Sequence, residues 1–445
     1  MKKHHSKQKS NIARAGLPGA DSGIEEPLRQ AGIDPDRLSI IKFGQQTHAQ
    51  ASGLRPWIKR LIVGIVLWLV FLTMEVGEFM PNSFIHAALS LVIGLIILQV
   101  ACQALLKASE KLAARLHWNH YVAGTVAEIL STTPELVVIA FVIPVSPLIA
   151  FIITLITIYN NALVFSFYSF FLPKDKQGKF LMPLPITEAG TQILIGGGAM
   201  GLILGLVMMA FTSDSPTKNS FLPVDLLTIS VFLVTIFVFY TYKLITAYAQ
   251  EEDVVRESLG MTGKDIEKRL AIVYEDVTEN SIGRIAGLLL IGVIGALIGG
   301  EQVSEFAEAM VKELDVNPIL TALILAVFAG MSEYVILWQS HQKKEYGIAL
   351  TNAFGGITQV MFMVFPFTLL SIAFYQQFIN PAHGDFPISF SLSNIFLLIF
   401  LFPTFYTLSF LLEEDHTMGV LDTVIMTSIF LFLILLMVSY GTSTV

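Results

Sequence analysis

Two octapeptides decide the fold. Thr132-Thr133-Pro134-Glu135-Leu136-Val137-Val138-Ile139 and Gly330-Met331-Ser332-Glu333-Tyr334-Val335-Ile336-Leu337 each set one carboxylate inside a long apolar stretch. Glu135 and Glu333 lie 198 positions apart. The same offset carries Leu91 onto Leu289, Leu116 onto Leu314 and Asn119 onto Asn317. Downstream it carries Asn161 onto Gln359, Phe167 onto Phe365 and Leu172 onto Leu370, with no gap needed from roughly 87 to 172. One such pair would be chance in so apolar a chain. An acidic residue, an Asn ahead of it and an amide 26 residues after it, all recurring together, mark an internal repeat.

The rest of the chain supplies the solvent for that repeat. Apolar residues make up 54% of the 445 positions and charged residues 14%, with 33 Phe and a mean hydropathy of +0.68. So few charges cannot cover a water-exposed surface, so most of the chain faces lipid or packs on helices that do. A span needs about 20 apolar residues. Eleven candidates follow, at 58–80, 83–113, 120–143, 145–172, 185–212, 222–249, 282–312, 316–338, 347–375, 388–412 and 418–440. The formal charge of −8 gives no reason to expect nucleic-acid binding. The single Cys102 excludes an internal disulfide and a zinc ribbon. No apolar stretch follows Met1, so no cleavable signal peptide is expected.

These spans give an all-α polytopic membrane protein with five parts. A polar cytosolic tail (1–57) precedes an extra transmembrane helix (58–80), a first five-helix repeat (83–249), a cytosolic loop (250–281) and a second five-helix repeat (282–440). An odd number of crossings turns the second copy upside down in the bilayer. In inverted-repeat secondary transporters the substrate sits near the midplane, where the copies meet. Lys and Arg crowd the tail, the 174–179 loop, the 250–280 loop and Lys343-Lys344, which places the N-terminus in the cytosol and the C-terminus outside. The acidic loop Glu413-Glu414-Asp415 also falls inside, without a basic residue of its own.

The candidate site follows from cost. An ionised Glu at mid-bilayer costs roughly 2.5–3.5 kcal/mol on insertion scales unless paired or hydrated. Glu135 and Glu333 at one point would hold two negative charges, and oxygen ligands suit hard cations such as Ca²⁺, with protons competing for the same oxygens. Pro134 removes a backbone donor beside Glu135, and Gly330 loosens the helix before Glu333. Freed carbonyls and the hydroxyls of Ser131, Thr132, Thr133 and Ser332 are expected to complete an oxygen shell. The following helices carry Thr157, Asn160 and Asn161 in one copy and Asn352, Thr358 and Gln359 in the other. Their amides are either neutral ligands or interhelical hydrogen-bond partners. Gly355-Gly356 allows close backbone approach or close packing. Glu128, two turns before Glu135, matches Ala326 and is read either as a proton or cation relay or as a capped residue near a helix end.

These residues resemble a family. Gly355-Gly356-Ile357-Thr358-Gln359-Val360, with the later Pro366, is similar to the Gly-Ser-Ser-Thr-Gln signature of the calcium/proton exchangers. Thr133-Pro134-Glu135-Leu136 is similar to the first-repeat Pro-Glu-Leu of the sodium/calcium exchangers, and Asn161 matches the Asn that follows it. The chain thus resembles the calcium/cation antiporter superfamily, most like its calcium/proton exchangers. The resemblance implies Glu135 and Glu333 as central cation ligands, helped by Asn161 and Gln359. It implies exchange of Ca²⁺ or a related cation for H⁺ across the cell (inner) membrane, with a sodium/calcium exchanger as the second reading and an uncoupled channel as the third. It implies no cofactor, since Ca²⁺ is cargo, and no enzymatic activity. The sequence holds no His-Glu-x-x-His, no Gly-x-Ser-x-Gly and no paired intramembrane Asp.

Overall fold

A computed structural model describes residues 56–77, 82–116, 120–183, 186–214, 220–258, 282–342, 346–379, 388 and 390–442. Most of the polar tail and the 259–281 part of the charge-rich loop lie outside the described residues, as do His117 and Asn119. The first half runs α1 (Pro56–Val76), α2 (Ser83–Leu116), α3 (His120–Val145), α4 (Pro147–Tyr168), β1 (Lys179–Leu181), α5 (Thr191–Asp214) and α6 (Pro223–Ser258). The second runs α7 (Ile282–Glu308), α8 (Pro318–Ala329), α9 (Met331–Gln342), α10 (Tyr346–Gln359), α11 (Phe365–Phe374), α12 (Leu392–Ile399), α13 (Leu401–Glu413), β2 (Thr417–Gly419) and α14 (Val420–Thr442). Local chemistry starts several of these helices. Ser146 ahead of Pro147 accepts from the Ile149 amide, and Asn317 ahead of Pro318 accepts from the Ile319 amide, a polar cap followed by Pro at the first helical position.

Among the described residues nine helices are long and apolar enough to cross a bilayer, which makes this an integral, multi-pass membrane protein. The expected count of eleven is not reached by length and composition. The two remaining apolar segments, Ile129–Val145 and Pro318–Ala329, are shorter, and they are the ones that carry or adjoin the glutamates. The expected single span 316–338 is two helices, because the chain breaks at Gly330, the C-cap of α8. The expected 347–375 span is interrupted by a π turn at Val360–Val364. Pro366 has no N–H to return to the carbonyl four residues back, and the wider turn ahead of it absorbs the mismatch. The 388–412 segment likewise divides at Phe400 into α12 and α13.

The two-fold relation is legible in the packing of α2 on α7. A Cβ on Gly94 would lie 3.0 Å from the Gly299 carbonyl oxygen, and one on Gly292 would lie 3.3 Å from the Ala101 carbonyl oxygen. The 198-residue offset carries Gly94 onto Gly292 and Ala101 onto Gly299. The two contacts are therefore one contact met twice with the partners exchanged, as a two-fold relation between the copies gives. Small residues let these backbones approach in a setting where lipid gives helices no hydrophobic reason to associate. The α4 helix and the segment 349–379 are the most buried spans, whereas α1, α6 and α14 expose most of their apolar surface. Ile62, Val66, Phe239 and Phe432 on those outer helices are exposed, as suits side chains in lipid.

One pairing answers the unneutralised acidic loop. Strands β1 and β2 pair antiparallel, Phe180 opposite Met418, and join the loop after α4 to the loop after α13. Lys179 forms an ion pair with Asp415 there, so the acidic loop takes its cation from the other copy. The Lys179 ammonium, with Thr417, holds the Asp415 carboxyl down to about 2, and Asp415 in turn raises the Lys179 pKa. Asp415 then contributes stability above its ordinary value of about 4, lost as pH falls through about 2. Lys179 contributes below its ordinary value of about 10.4, lost as pH rises through its raised one. The clamp is constant across neutral pH. Both groups are well exposed, so Asp415→Asn is expected to change thermal stability little at pH 7. The parent alone should lose part of its Tm between about pH 4 and 2, measured in detergent at low salt.

Candidate cation site

The site is built where α3, α4, α9 and α10 converge. Glu135 stands near the middle of α3, one turn after Thr132, and both are buried. Glu333 is the third residue of α9, just beyond the break at Gly330. The two carboxyl side chains are hydrogen-bonding neighbours. Thus the acidic residues that the repeat places 198 positions apart meet side chain to side chain. Oε1 of Glu135 is buried and has no hydrogen-bond partner among the described residues. Two carboxyls inside a membrane protein cannot both stay charged and unpaired at tolerable cost. The arrangement calls for a proton or a cation between them.

Neutral groups close round the pair from both copies. Thr132 Oγ1 donates to Gln359 Oε1 at 2.9 Å, tying α3 to α10. Asn161 of α4 is buried, and neither its Oδ1 nor its Nδ2 has a partner among the described residues. Glycines make room for it. A Cβ on Gly330 would lie 2.9 Å from Asn161 Oδ1, and one on Gly356 would lie 3.1 Å from Asn161 Nδ2 and 3.2 Å from Glu333 Cγ. Asn352 Nδ2 points its donor toward the Glu333 carbonyl at 3.4 Å. A buried amide with both ends unsatisfied costs of the order of 1–3 kcal/mol per group, and the Gly356 position brings it close to the Glu333 side chain. Oxygens of this kind, carboxylate and amide together, fit a hard cation.

The remaining expected residues divide. Thr133 returns its hydroxyl to the Ile129 carbonyl at 3.5 Å, on the exposed side of α3, and is not brought to the pair. Thr157 bonds the Ile153 carbonyl and Thr358 the Gly355 carbonyl, each within its own helix. Pro134 is buried inside α3 beside Glu135 and leaves the Leu130 carbonyl without its usual helical donor. Gly355 is half-buried and Gly356 fully buried. The side chains of Ser332 and Glu128 lie outside the described residues. Among the described residues no group of three or more acidic, His or Cys side chains gathers to hold a metal; the described carboxylates of the site are Glu135 and Glu333.

Tyr334 is the site residue that sequence reasoning passed over. Asn160 Nδ2 donates to its hydroxyl. A Cβ on Gly330 would lie 2.7 Å from that oxygen. In sequence, an aromatic in an apolar run reads as packing. The available signal was its place next to Glu333, where the first copy has Leu136.

Residues 284–439 match the family model described as sodium/calcium exchanger protein. That match falls on the second copy and includes Glu333, Gly356 and Gln359. Over those residues the second copy is similar to the sodium/calcium exchanger family. Solved structures extend the likeness, as fold, over both copies. The crystal structure of the H⁺/Ca²⁺ exchanger CAX superposes with a TM-score of 0.54 at 10% identity, covering 87% of this chain and 95% of that one. The structure of native YfkE gives a TM-score of 0.54 at 12% identity, covering 86% and 99%. No curated protein sequence matches the chain.

Proposed function

We propose that the chain is a secondary-active antiporter that moves Ca²⁺, or a related cation, in exchange for H⁺ by alternating access. One observation carries the reading. The Glu135 and Glu333 carboxyls, one from each repeat, meet side chain to side chain, and Glu135 Oε1 and Asn161 Oδ1 are buried with no partner among the described residues. Such a pair is neutral with either one dication or two protons aboard, so each can replace the other. An uncoupled, charged pair is costly to move through low dielectric, which ties the loaded forms to the conformational change. Residues 83–249 and 282–440 are then the two halves that rock about the site, as expected of inverted repeats. The membrane is the cell (inner) membrane, with the N-terminus in the cytosol. Sodium/calcium exchange is the second reading, since the family model that matches the second copy carries that description.

Proteoliposome flux separates the readings. Ca²⁺ movement should follow an imposed pH gradient, with Mn²⁺, Na⁺ and K⁺ tested in parallel. Flux that follows a Na⁺ gradient and ignores pH moves the chain to the second reading, and flux indifferent to both gradients makes it a channel. Orientation has its own test, because Cys102 is buried. New cysteines in the 213–220 and 376–387 loops should react with membrane-impermeant reagents from outside. Reaction from the cytosol at either loop would end the N-in assignment.

A further inference from the structure

The two copies are not equivalent at their amides. The 198-residue offset carries Thr132 onto Gly330, Asn161 onto Gln359 and Leu136 onto Tyr334. In one half of the site the Thr132 hydroxyl engages Gln359 Oε1. The counterpart contact, Gly330 against Asn161, has no hydroxyl to offer, and Asn161 Oδ1 is left buried with no donor among the described residues. The space freed by Gly330 is taken by Tyr334. One point beside Gly330 is 2.7 Å from Tyr334 Oη and 2.9 Å from Asn161 Oδ1, so both oxygens border a single notch. Tyr334 also lies within electrostatic reach of both Glu135 and Glu333, and the Asn160 amide fixes the position of its hydroxyl.

We infer that Tyr334 Oη is a ligand of the transported cation, paired with Asn161 Oδ1 at the Gly330 notch, and that Asn160 is the residue that positions it. A phenol oxygen has a donor and two acceptor sites. Asn160 occupies one acceptor and leaves the other for a cation. Hard dications take six to eight oxygens, and the hydroxyls of Thr133, Thr157 and Thr358 are turned to their own helix backbones. Gln359 Oε1 already accepts from Thr132. Asn161 Oδ1 and Tyr334 Oη are the two side-chain oxygens that border the Gly330 notch and are not turned to a helix backbone or to Gln359. The ligand shell is lopsided, with an amide locked in one half and an amide plus a phenol open in the other.

This inference rests on the carboxyl pair being the cation site, and the test separates the two. Equilibrium binding of radiolabelled Ca²⁺ is measured on the purified full chain in detergent, together with the Ca²⁺-induced rise in Tm. Tyr334→Phe should weaken binding on the order of tenfold and shrink the Ca²⁺-induced rise in Tm, while the Tm without Ca²⁺ stays near the parent's. Asn160→Ala should weaken binding by about 10-fold, as loss of an orienting partner does at metal sites. The double variant should bind no more weakly than Tyr334→Phe alone, because Asn160 acts through the phenol. If Tyr334→Phe fails to fold because the Asn160 amide loses its acceptor, the double variant removes both groups and carries the same comparison. Parental Ca²⁺ affinity in the folded Tyr334→Phe or double variant overturns the assignment, and additive losses overturn the positioning role of Asn160. Glu333→Gln is the control for the underlying reading. Parental Ca²⁺ binding there removes the carboxyl-pair site itself, whereas loss there with no effect of Tyr334→Phe removes only the phenol ligand.

Discussion

Glu135→Gln and Glu333→Gln should each reduce gradient-driven Ca²⁺ flux to background in protein that inserts and purifies normally. Gln keeps the size and most of the hydrogen bonding of Glu and removes one negative charge. Unit charges 4 Å apart interact by about 4 kcal/mol at an effective dielectric near 20. At 1.4 kcal/mol per tenfold, losing even one such attraction is on the order of a thousandfold in dication affinity. The exchange arithmetic fails as well, since one carboxyl can release only one proton for each dication taken up. The double variant should be no worse than either single one, because groups that act as a unit give non-additive losses. Asn161→Ala should be the milder companion, with weakened Ca²⁺ binding and residual flux, because it removes a neutral oxygen and not a charge. Near-parental exchange in both single Gln variants would show that the meeting of the two carboxyls is structural.

The parts of this site that the sequence disclosed are those with a period. A fixed offset paired the glutamates, whose side chains meet in the structure, and matched Asn161 to Gln359. Helix geometry also had more to say than was taken from it. Thr132 and Glu135 are one turn apart and share a face, so only Thr132 of the Thr132-Thr133 pair can turn to the carboxyls. Thr133, about 100° away, bonds its own helix at Ile129 instead. What stayed hidden depends on long-range contact. The Thr132–Gln359 bond joins residues 227 positions apart, and the Lys179–Asp415 pair joins residues 236 apart. No local pattern announces either. Tyr334 was hidden for a different reason. Its hydroxyl matters only because Gly330 leaves room for it and Asn160 holds it, and composition along one helix records neither fact.

Gly330→Ala should lower flux on the order of 100-fold, though it adds only one methyl group. The new Cβ would fall 2.7 Å from Tyr334 Oη, 2.9 Å from Asn161 Oδ1 and 2.9 Å from Tyr334 Cζ, closer than bonded packing tolerates, so something must move. The phenol is held by Asn160, and Asn161 is closed in on its other side by Gly356 and Glu333. Neither can yield without shifting the groups that face the carboxyls. Misplacing a reacting group by about 1 Å commonly costs on the order of 100-fold, and flux should fall by a similar factor. Helix propensity alone argues the other way, since Ala in place of Gly favours a helix by roughly 1 kcal/mol. Gly330 sits at the junction of α8 and α9, where that gain would also straighten a break the site uses. Gly287→Ala is the matched comparison. It lies in α7, and a Cβ there meets nothing within 4 Å, so flux should remain at the parent level. If Gly330→Ala exchanges Ca²⁺ as fast as Gly287→Ala, the notch beside Asn161 and Tyr334 lies off the cation's path, and the ligand shell must be drawn from the Thr132–Gln359 side.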